Sequence, residues 1–254
     1  MALNIRQLEI LDLAKASGRV AVEELAQHFD VAVQTIRRDL GELADHGMLD
    51  RVHGGAVMRS GVSNIGYDER RRMNDDAKSA IARACAAQIP DNSSVFINLG
   101  TTTEAVAREL INHRNLTVIT NNMNVAHILV ANESCDIIVA GGTLRRFDGG
   151  LVGDLTREFM AQFKPDFAVI GTSALDLDGD LLDFDMAEVR VSRAIVQQAR
   201  KSFLVTDISK LQRSAPIRII SMAGLDAAFV DAPLPKPLAA RCRDWGTRVV
   251  VADR

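Results

Sequence analysis

The stretch Ser94-Val95-Phe96-Ile97-Asn98-Leu99-Gly100-Thr101-Thr102-Thr103 decides the fold of most of this chain. Its opening is a short apolar run of strand length. Gly100 breaks the run, and residues 101–112 then carry Val106 and Leu110 on one helical face. A strand with no polar face has to be covered on both sides, which is the condition of a parallel sheet. The same unit recurs downstream. A strand Leu116–Thr120 leads into a helix over 122–132, and a third strand over 135–140 is closed by Gly141-Gly142. Further strands are expected at Phe167–Ile170, 203–206, Ala227–Val230 and Arg248–Val251, with helices over 187–201 and 237–245 between some of them. Alternation of this kind implies an open, mostly parallel α/β sheet.

The turns at the strand ends carry the chemistry. A helix N-terminus presents unpaired N–H groups and partial positive charge. Gly100, Thr101, Thr102 and Thr103 therefore suit a phosphate, although a plain helix cap reads the same way. Asn121 and Asn122 follow the next strand and Gly141 and Gly142 the one after, so three turns converge on the sheet edge where open α/β folds bind ligands. Arg145, with Gly150 in the run Gly149-Gly150-Leu151-Val152-Gly153, is read as a cation beside a lid. Lys210, in Asp207-Ile208-Ser209-Lys210, could supply a second cation, although each of these alone is more often a surface charge. The acidic stretch Asp176, Asp178, Asp180, Asp183, Asp185 is no calcium loop, because its sixth and twelfth positions are Leu181 and Ala187 rather than glycine and glutamate. It reads as a solvated loop, or as carboxylates that move protons or meet ligand hydroxyls.

Upstream the pattern changes. Ile5, Leu8 and Leu11, then Val22, Leu25, Ala26 and Phe29, then Val33, Ile36, Leu40 and Leu43 form three amphipathic stripes, and residues 48–57 read as two short strands around Gly54-Gly55. At about 100° per residue, a third helix with its stripe inward turns Arg38 outward, with Gln34 and Thr35 beside it and Arg37 on its flank. Arginine pairs with guanine O6 and N7, and glutamine with adenine N6 and N7. Arg51 and His53 would extend the surface from the hairpin, with Lys15, Arg51 or Arg59 holding phosphates. Residues 59–76 read as a linker, or alternatively as the start of a solvated helix. The expected organisation is thus a winged helix-turn-helix over 1–58, a linker over 59–76 and a sensing α/β domain over 77–254.

Composition bounds these readings. The chain has 254 residues, 47% hydrophobic and 25% charged, as expected of a globular protein. Its net charge of −3, and seven basic against nine acidic side chains in residues 1–60, deny any DNA-binding case based on charge count. Cys85, Cys135 and Cys242 lie far apart, which suits a reducing cytoplasmic compartment and no zinc ribbon. No apolar run approaches the roughly 20 residues of a membrane span. No nucleotide-binding glycine motif is present, and neither a metal nor a cofactor is called for.

The run Gln34-Thr35-Ile36-Arg37-Arg38-Asp39-Leu40, followed by Leu43, Gly47, Leu49, Arg51 and His53-Gly54-Gly55-Ala56, resembles the N-terminal signature of the DeoR family of bacterial transcriptional repressors. Residues 97–102, 120–122, 140–142, 150–153 and 207–210 resemble that family's effector domain, so the likeness spans nearly the whole chain. One departure is Ala32-Val33, where relatives often carry Ser-Pro, and a weaker helix start is expected there. The resemblance implies a fold like ribose-5-phosphate isomerase and a homo-oligomer that reads repeated half-sites of double-stranded operator DNA. It also implies release by a phosphorylated sugar or polyol, with glycerol 3-phosphate the first candidate, and no enzymatic activity. The rival reading is a sugar-phosphate isomerase or deaminase with an added N-terminal module.

Overall fold

The structure, a computed structural model, describes residues 3–17, 19–46, 48–52, 54–58 and 66–253. The chain divides into two units, 1–62 and 63–254.

The first unit contains α1 (Ile5–Ser17), β1 (Arg19–Ala21), α2 (Val22–His28), α3 (Val33–Asp45), β2 (Leu49–Val52) and β3 (Gly55–Met58). The strands form an antiparallel sheet in the order β1-β3-β2, so the expected hairpin acquires a third strand. The helices meet in one core of Ile10, Leu11, Ala14, Leu25, Ile36, Leu40 and Leu43, closed by Val20, Leu49 and Ala56 from the sheet, while Ile5 and Leu8 of the expected first stripe are exposed and α1 turns Ile10 inward instead. A polar clamp joins α1 to α3. Arg6 Nε donates to the buried Asp39 carboxylate at 2.6 Å, and Gln7 Nε2 donates to Glu42 at 2.6 Å. Ala32 caps α3 without any side-chain hydrogen bond, in keeping with the missing Ser-Pro.

The second unit opens with α4 (Tyr67–Arg72) and α5 (Asp75–Ala86) and continues with β4 (Ser94–Ile97), α6 (Thr101–Glu109), β5 (Leu116–Thr120), α7 (Met123–Leu129) and β6 (Cys135–Val139). Then come β7 (Thr143–Arg145), β8 (Gly150–Val152), α8 (Asp154–Met160), β9 (Phe167–Ile170), β10 (Ala174–Leu175), β11 (Asp180–Asp183), α9 (Met186–Gln198) and β12 (Lys201–Val205). The chain closes with β13 (Ile217–Ser221), β14 (Ala227–Val230), α10 (Lys236–Trp245) and β15 (Arg248–Val251). Seven strands form one parallel sheet in the order β15-β14-β12-β9-β4-β5-β6.

Alternation along each strand divides its apolar residues between two cores. Val95, Ile97, Val118, Val169, Phe203 and Phe229 meet Ala80, Ile81, Val106 and Val125 from α5, α6 and α7. Phe96, Ile119, Ala168, Ile170, Leu204 and Ala228 meet Met160, Val189, Ile195 and Leu238 from α8, α9 and α10. Burial on both faces accounts for strands that read as continuous apolar runs.

Two expectations are corrected. The linker expected over 59–76 is not a connector in its second half. Tyr67–Arg72 is helical, and the Tyr67 hydroxyl donates to Glu104 at 2.9 Å, so this segment packs into the second unit. The lid expected around Gly149-Gly150 is a β7–β8 hairpin fastened to the end of β5. Leu151 N donates to Asn121 O at 2.7 Å, and Met123 N to Gly149 O at 3.0 Å. Gly150 is packed so closely that a Cβ there would lie 2.8 Å from Leu99 Cδ1.

The uncapped start of α3 yields the first prediction. Ala32→Ser supplies an acceptor for a first-turn N–H and stabilises the helix-turn-helix unit by about 1 kcal/mol. Denaturant unfolding of the two forms measures the gain.

Candidate nucleic-acid interface and ligand cavity

On α3 the buried positions are Ile36, Asp39, Leu40 and Leu43. Gln34, Arg37 and Arg38 are exposed, Thr35 is half-buried, and Arg51 on β2 is exposed. The Arg38 side chain is 73% exposed and pairs with Glu42 only at 3.7 Å. An exposed pair of this kind contributes at most about 1 kcal/mol, so it holds the guanidinium loosely. Asp39 follows the two arginines in sequence but is turned inward and neutralised by Arg6, so it places no negative charge on the outward face. His53 and Arg59 lie outside the described residues.

The second unit contains a narrow recess of about 30 Å³. It opens where the strand order reverses. From β4 the chain proceeds through β5 and β6 on one side, and from β9 through β12, β14 and β15 on the other. The recess is walled by the turn after β4 (Gly100 to Thr103) and by the turn after β9 (Gly171, Thr172, Ser173). Gly100 has φ +138°, a conformation that L side chains rarely adopt. It offers α6 no side-chain cap, which leaves the first-turn N–H groups of the helix without intrahelical partners. The Thr103 hydroxyl is committed, donating at 2.7 Å to both Asn98 O and Gly100 O. Thr102 is 7% exposed, and its hydroxyl has no hydrogen bond among the described residues.

A smaller recess adjoins the first and shares Arg70, Thr101, Thr102 and Lys210 with it. Lys78, Arg213 and Asp207 complete its wall. Four cationic side chains therefore surround the threonine turn, with Asp207 as counter-charge. They are poorly satisfied. Arg70 Nε and Arg213 Nη1 are buried without a hydrogen-bond partner, and the Lys210 ammonium has none among the described residues. Lys78 is spent on the backbone, donating to Arg70 O and, at 3.2 Å, to Arg71 O. Burial, reinforced by the Arg213 charge, pushes the Lys210 pKa down to about 8, with Asp207 opposing. Burial also lowers the Lys78 and Arg213 values. A helix N-terminus ringed by under-satisfied cations has the chemistry to hold an anion.

The lining also carries four carboxylates, Glu104 in the first turn of α6 itself and Asp148, Asp183 and Glu188 from elsewhere in the chain. Glu104 is fully engaged, accepting from Tyr67 Oη at 2.9 Å, Asn122 Nδ2 at 3.3 Å and Asn124 Nδ2 at 3.1 Å. Burial and the Asp183 charge push the Glu188 pKa up to about 7, against the pull of Arg145. No group of three or more His, Cys, Asp or Glu among the described residues is arranged to hold a metal ion.

Several expected ligand residues stand elsewhere. Asn121, Asn122, Gly141, Gly142, Arg145 and Gly150 do not line the recess. Asn121 and Asn122 are fully buried: Asn121 Nδ2 donates to Leu151 O, and Asn122 caps α7 with its side-chain oxygen. Thr156 on α8 donates to Gly141 O, and a Cβ on Gly142 would lie 2.0 Å from the Thr156 hydroxyl oxygen, so this turn is filled by its own helix. Arg145 is consumed by three carboxylates, Asp148, Asp185 and Glu188, each within 2.7 Å. It acts as the keystone of the acidic wall rather than as a free cation. Gly100, Thr101, Thr102, Thr103 and Lys210 do line the recess.

Residues 6–61 match the model of the DeoR-like helix-turn-helix domain, and residues 73–232 match that of the DeoR C-terminal sensor domain. The chain belongs to the DeoR family. It is similar to the glycerol-3-phosphate regulon repressor of Escherichia coli K12, with 47% identity over 226 residues, covering 89% of this chain and 90% of the other. It is similar to the protein of the same name in Haemophilus influenzae, with 41% identity over 253 residues, covering 100% and 98%. Among solved structures, ribose 5-phosphate isomerase A from Neisseria gonorrhoeae matches with a TM-score of 0.41 and 11% identity over 55% of this chain and 54% of that one.

Sequence reasoning on this DeoR-family chain missed Tyr67, Arg70, Lys78 and Arg213. A signal did exist for the first, since Tyr67 is the only tyrosine in the chain and would be wasted in a solvated connector. The run Asp68 to Arg72 hid one inward arginine among outward ones.

Lys210 gives the site a proton signature. The unfolded chain keeps a lysine near 10.5, whereas the folded chain releases that proton near 8. The folded state therefore binds fewer protons between these values, and the contribution of Lys210 to stability rises with pH across that window. A bound anion reverses this by holding the proton on. Sulfate, which does not itself titrate here, is expected to bind with uptake of up to one proton per chain at about pH 8.5. Calorimetry in buffers of differing ionisation enthalpy measures the uptake, and Lys210→Met removes it.

Proposed function

We propose that this chain is a cytoplasmic transcriptional repressor. It grips operator DNA through the outward face of α3 and releases it when a phosphorylated sugar or polyol, glycerol 3-phosphate first among them, occupies the recess. The observation that carries the reading is the crowding of Arg70, Lys78, Lys210 and Arg213 around the α6 N-terminus at the strand-order reversal. Four cations answered only by Asp207 and by an Arg70–Asp148 contact at 4.0 Å are costly to bury unless a ligand uses them. The names of the relatives support the choice of glycerol 3-phosphate. Gln34, Thr35, Arg37 and Arg38 read bases, while Arg51 and His53 hold the backbone. Two copies read repeated half-sites. Release requires the effector to bind the DNA-incompetent state more tightly than the competent one.

A second reading is favoured by one observation. Glu188, with a pKa near 7 and a place in the cavity wall, has the character of a general base, as an isomerase would need. Turnover of sugar phosphates by the purified chain decides between the two, and none is expected.

Electrophoretic mobility shift at fixed salt tests the repressor. Arg37→Ala and Arg38→Ala each lower operator affinity at least about tenfold, the equivalent of roughly 1.4 kcal/mol. Unchanged affinity would remove α3 as the reading helix. With Thr102→Asp the retarded band persists at glycerol 3-phosphate concentrations that release the wild type. A normal response of that variant would remove the threonine turn from the effector site.

A further inference from the structure

The recess is lined by both signs of charge, with Arg70 reaching Asp148 at 4.0 Å where the two groups meet, and the carboxylates Asp183 and Glu188 have no role in holding a phosphate. The groups left without hydrogen bonds differ in kind. At the α6 end they are donors, namely the Thr102 hydroxyl, the Lys210 ammonium and the buried Arg70 Nε. At Asp183 and Glu188 they are acceptors. Asp183 is 4% exposed, and its Oδ1 takes the N–H groups of Phe184 at 2.6 Å and Asp185 at 3.4 Å, while its Oδ2 takes none among the described residues. Glu188 Oε2 takes the Arg145 guanidinium at 2.6 Å, and its Oε1 takes none. Both residues line the same recess as Thr102 and Lys210.

This wall is assembled with care. Arg145 ties Asp148, Asp185 and Glu188 together from outside the recess, donating to Asp148 through Nε at 3.0 Å and Nη2 at 2.6 Å, and to Asp185 through Nη1 at 2.7 Å. The position of Glu188 is set by α9, whose first turn Asp185 caps by accepting from Ala187 N at 2.8 Å. Asp183 is the last residue of β11, which pairs on one side with β10 and on the other with β13. Two free acceptors on rigid elements, lining one cavity together with Arg70, Thr102 and Lys210, have a defined chemical complement. It carries a phosphate at one end and hydrogen-bond donors without charge at the other.

We propose that Asp183 and Glu188 are the specificity-determining residues of this recess. They accept the hydroxyl groups of a neutral polyol tail, and they exclude phosphorylated carboxylic acids, whose second anion would sit against the acidic wall. The inference rests on the reading of the α6 end as a phosphate-monoester site, and it names the ligand class that reading left open: monoesters of uncharged polyols, and not phospho-acids. Above the Glu188 value of about 7, rejection follows from like charges brought together in a site of limited solvation.

Isothermal titration of the full chain at fixed ionic strength tests this with three probes: inorganic phosphate, glycerol 3-phosphate, and 3-phosphoglycerate, which replaces the terminal hydroxymethyl group by a carboxylate. Glycerol 3-phosphate is expected to bind at least about tenfold more tightly than either of the others. Asp183→Asn keeps the backbone acceptor and removes the charge, and Glu188→Gln does the same for the second position. In each, the gap between 3-phosphoglycerate and glycerol 3-phosphate narrows at least about fivefold. Equal wild-type affinity for these two esters overturns the proposal and leaves the phosphate reading standing. A gap unchanged in both variants also overturns it. If no probe binds, inorganic phosphate included, the phosphate reading fails and the inference falls with it.

Discussion

The sensing unit depends on one topological constraint, the reversal of strand order between β4 and β9. In a parallel sheet every crossover returns its chain to the same edge, so loops crowd that edge except where successive connections leave in opposite directions. There the helices part and a crevice remains. In this chain the crevice lies between the Gly100 turn and the Gly171 turn, and both recesses described above grow from it. The seven strands, buried on both faces, are the rigid frame that makes the placement of Thr102, Lys210, Asp183 and Glu188 reproducible.

Around that crevice the polar residues fall into two electrostatic systems, joined where Arg70 reaches Asp148 at 4.0 Å. One is under-satisfied and cationic, with buried guanidinium nitrogens that lack partners. The other is over-satisfied at its base, where Arg145 neutralises three carboxylates, and open at its face, where single oxygens remain. Burial shifts the ionisable groups of both towards their neutral forms, Lys210 downward and Glu188 upward. Each system leaves capacity that water or a ligand must fill. The helix-turn-helix unit solves a different problem. Its buried Asp39 is answered by Arg6, so that α3 is held against α1 while its arginines stay outside.

Much of this was legible in the residues themselves. Period-two and period-3.6 patterns announced the strands and helices, and the outward face of α3 followed from its stripe. That the structure places several expected residues away from the recess has one cause. Asn121, Asn122, Gly141 and Gly142 looked like ligand turns because they follow strands, yet β5 and β6 lie to one side of the reversal, where turns are filled by neighbouring helices and by the β7–β8 hairpin. Arg145 looked like a free cation because its three carboxylate partners are spread from position 148 to position 188. Tyr67 and Arg70 looked like linker because charged neighbours surround them in sequence, although in space they close the recess.

The sequence by itself determined the local states, the DeoR-type signature and the outward arginines, because each depends on the spacing of residues within one element. Only the tertiary structure decided which strand ends share a crevice, which charges are already spent and which remain free. Those are properties of strand order and of contacts between residues far apart in the chain, and no local pattern encodes them.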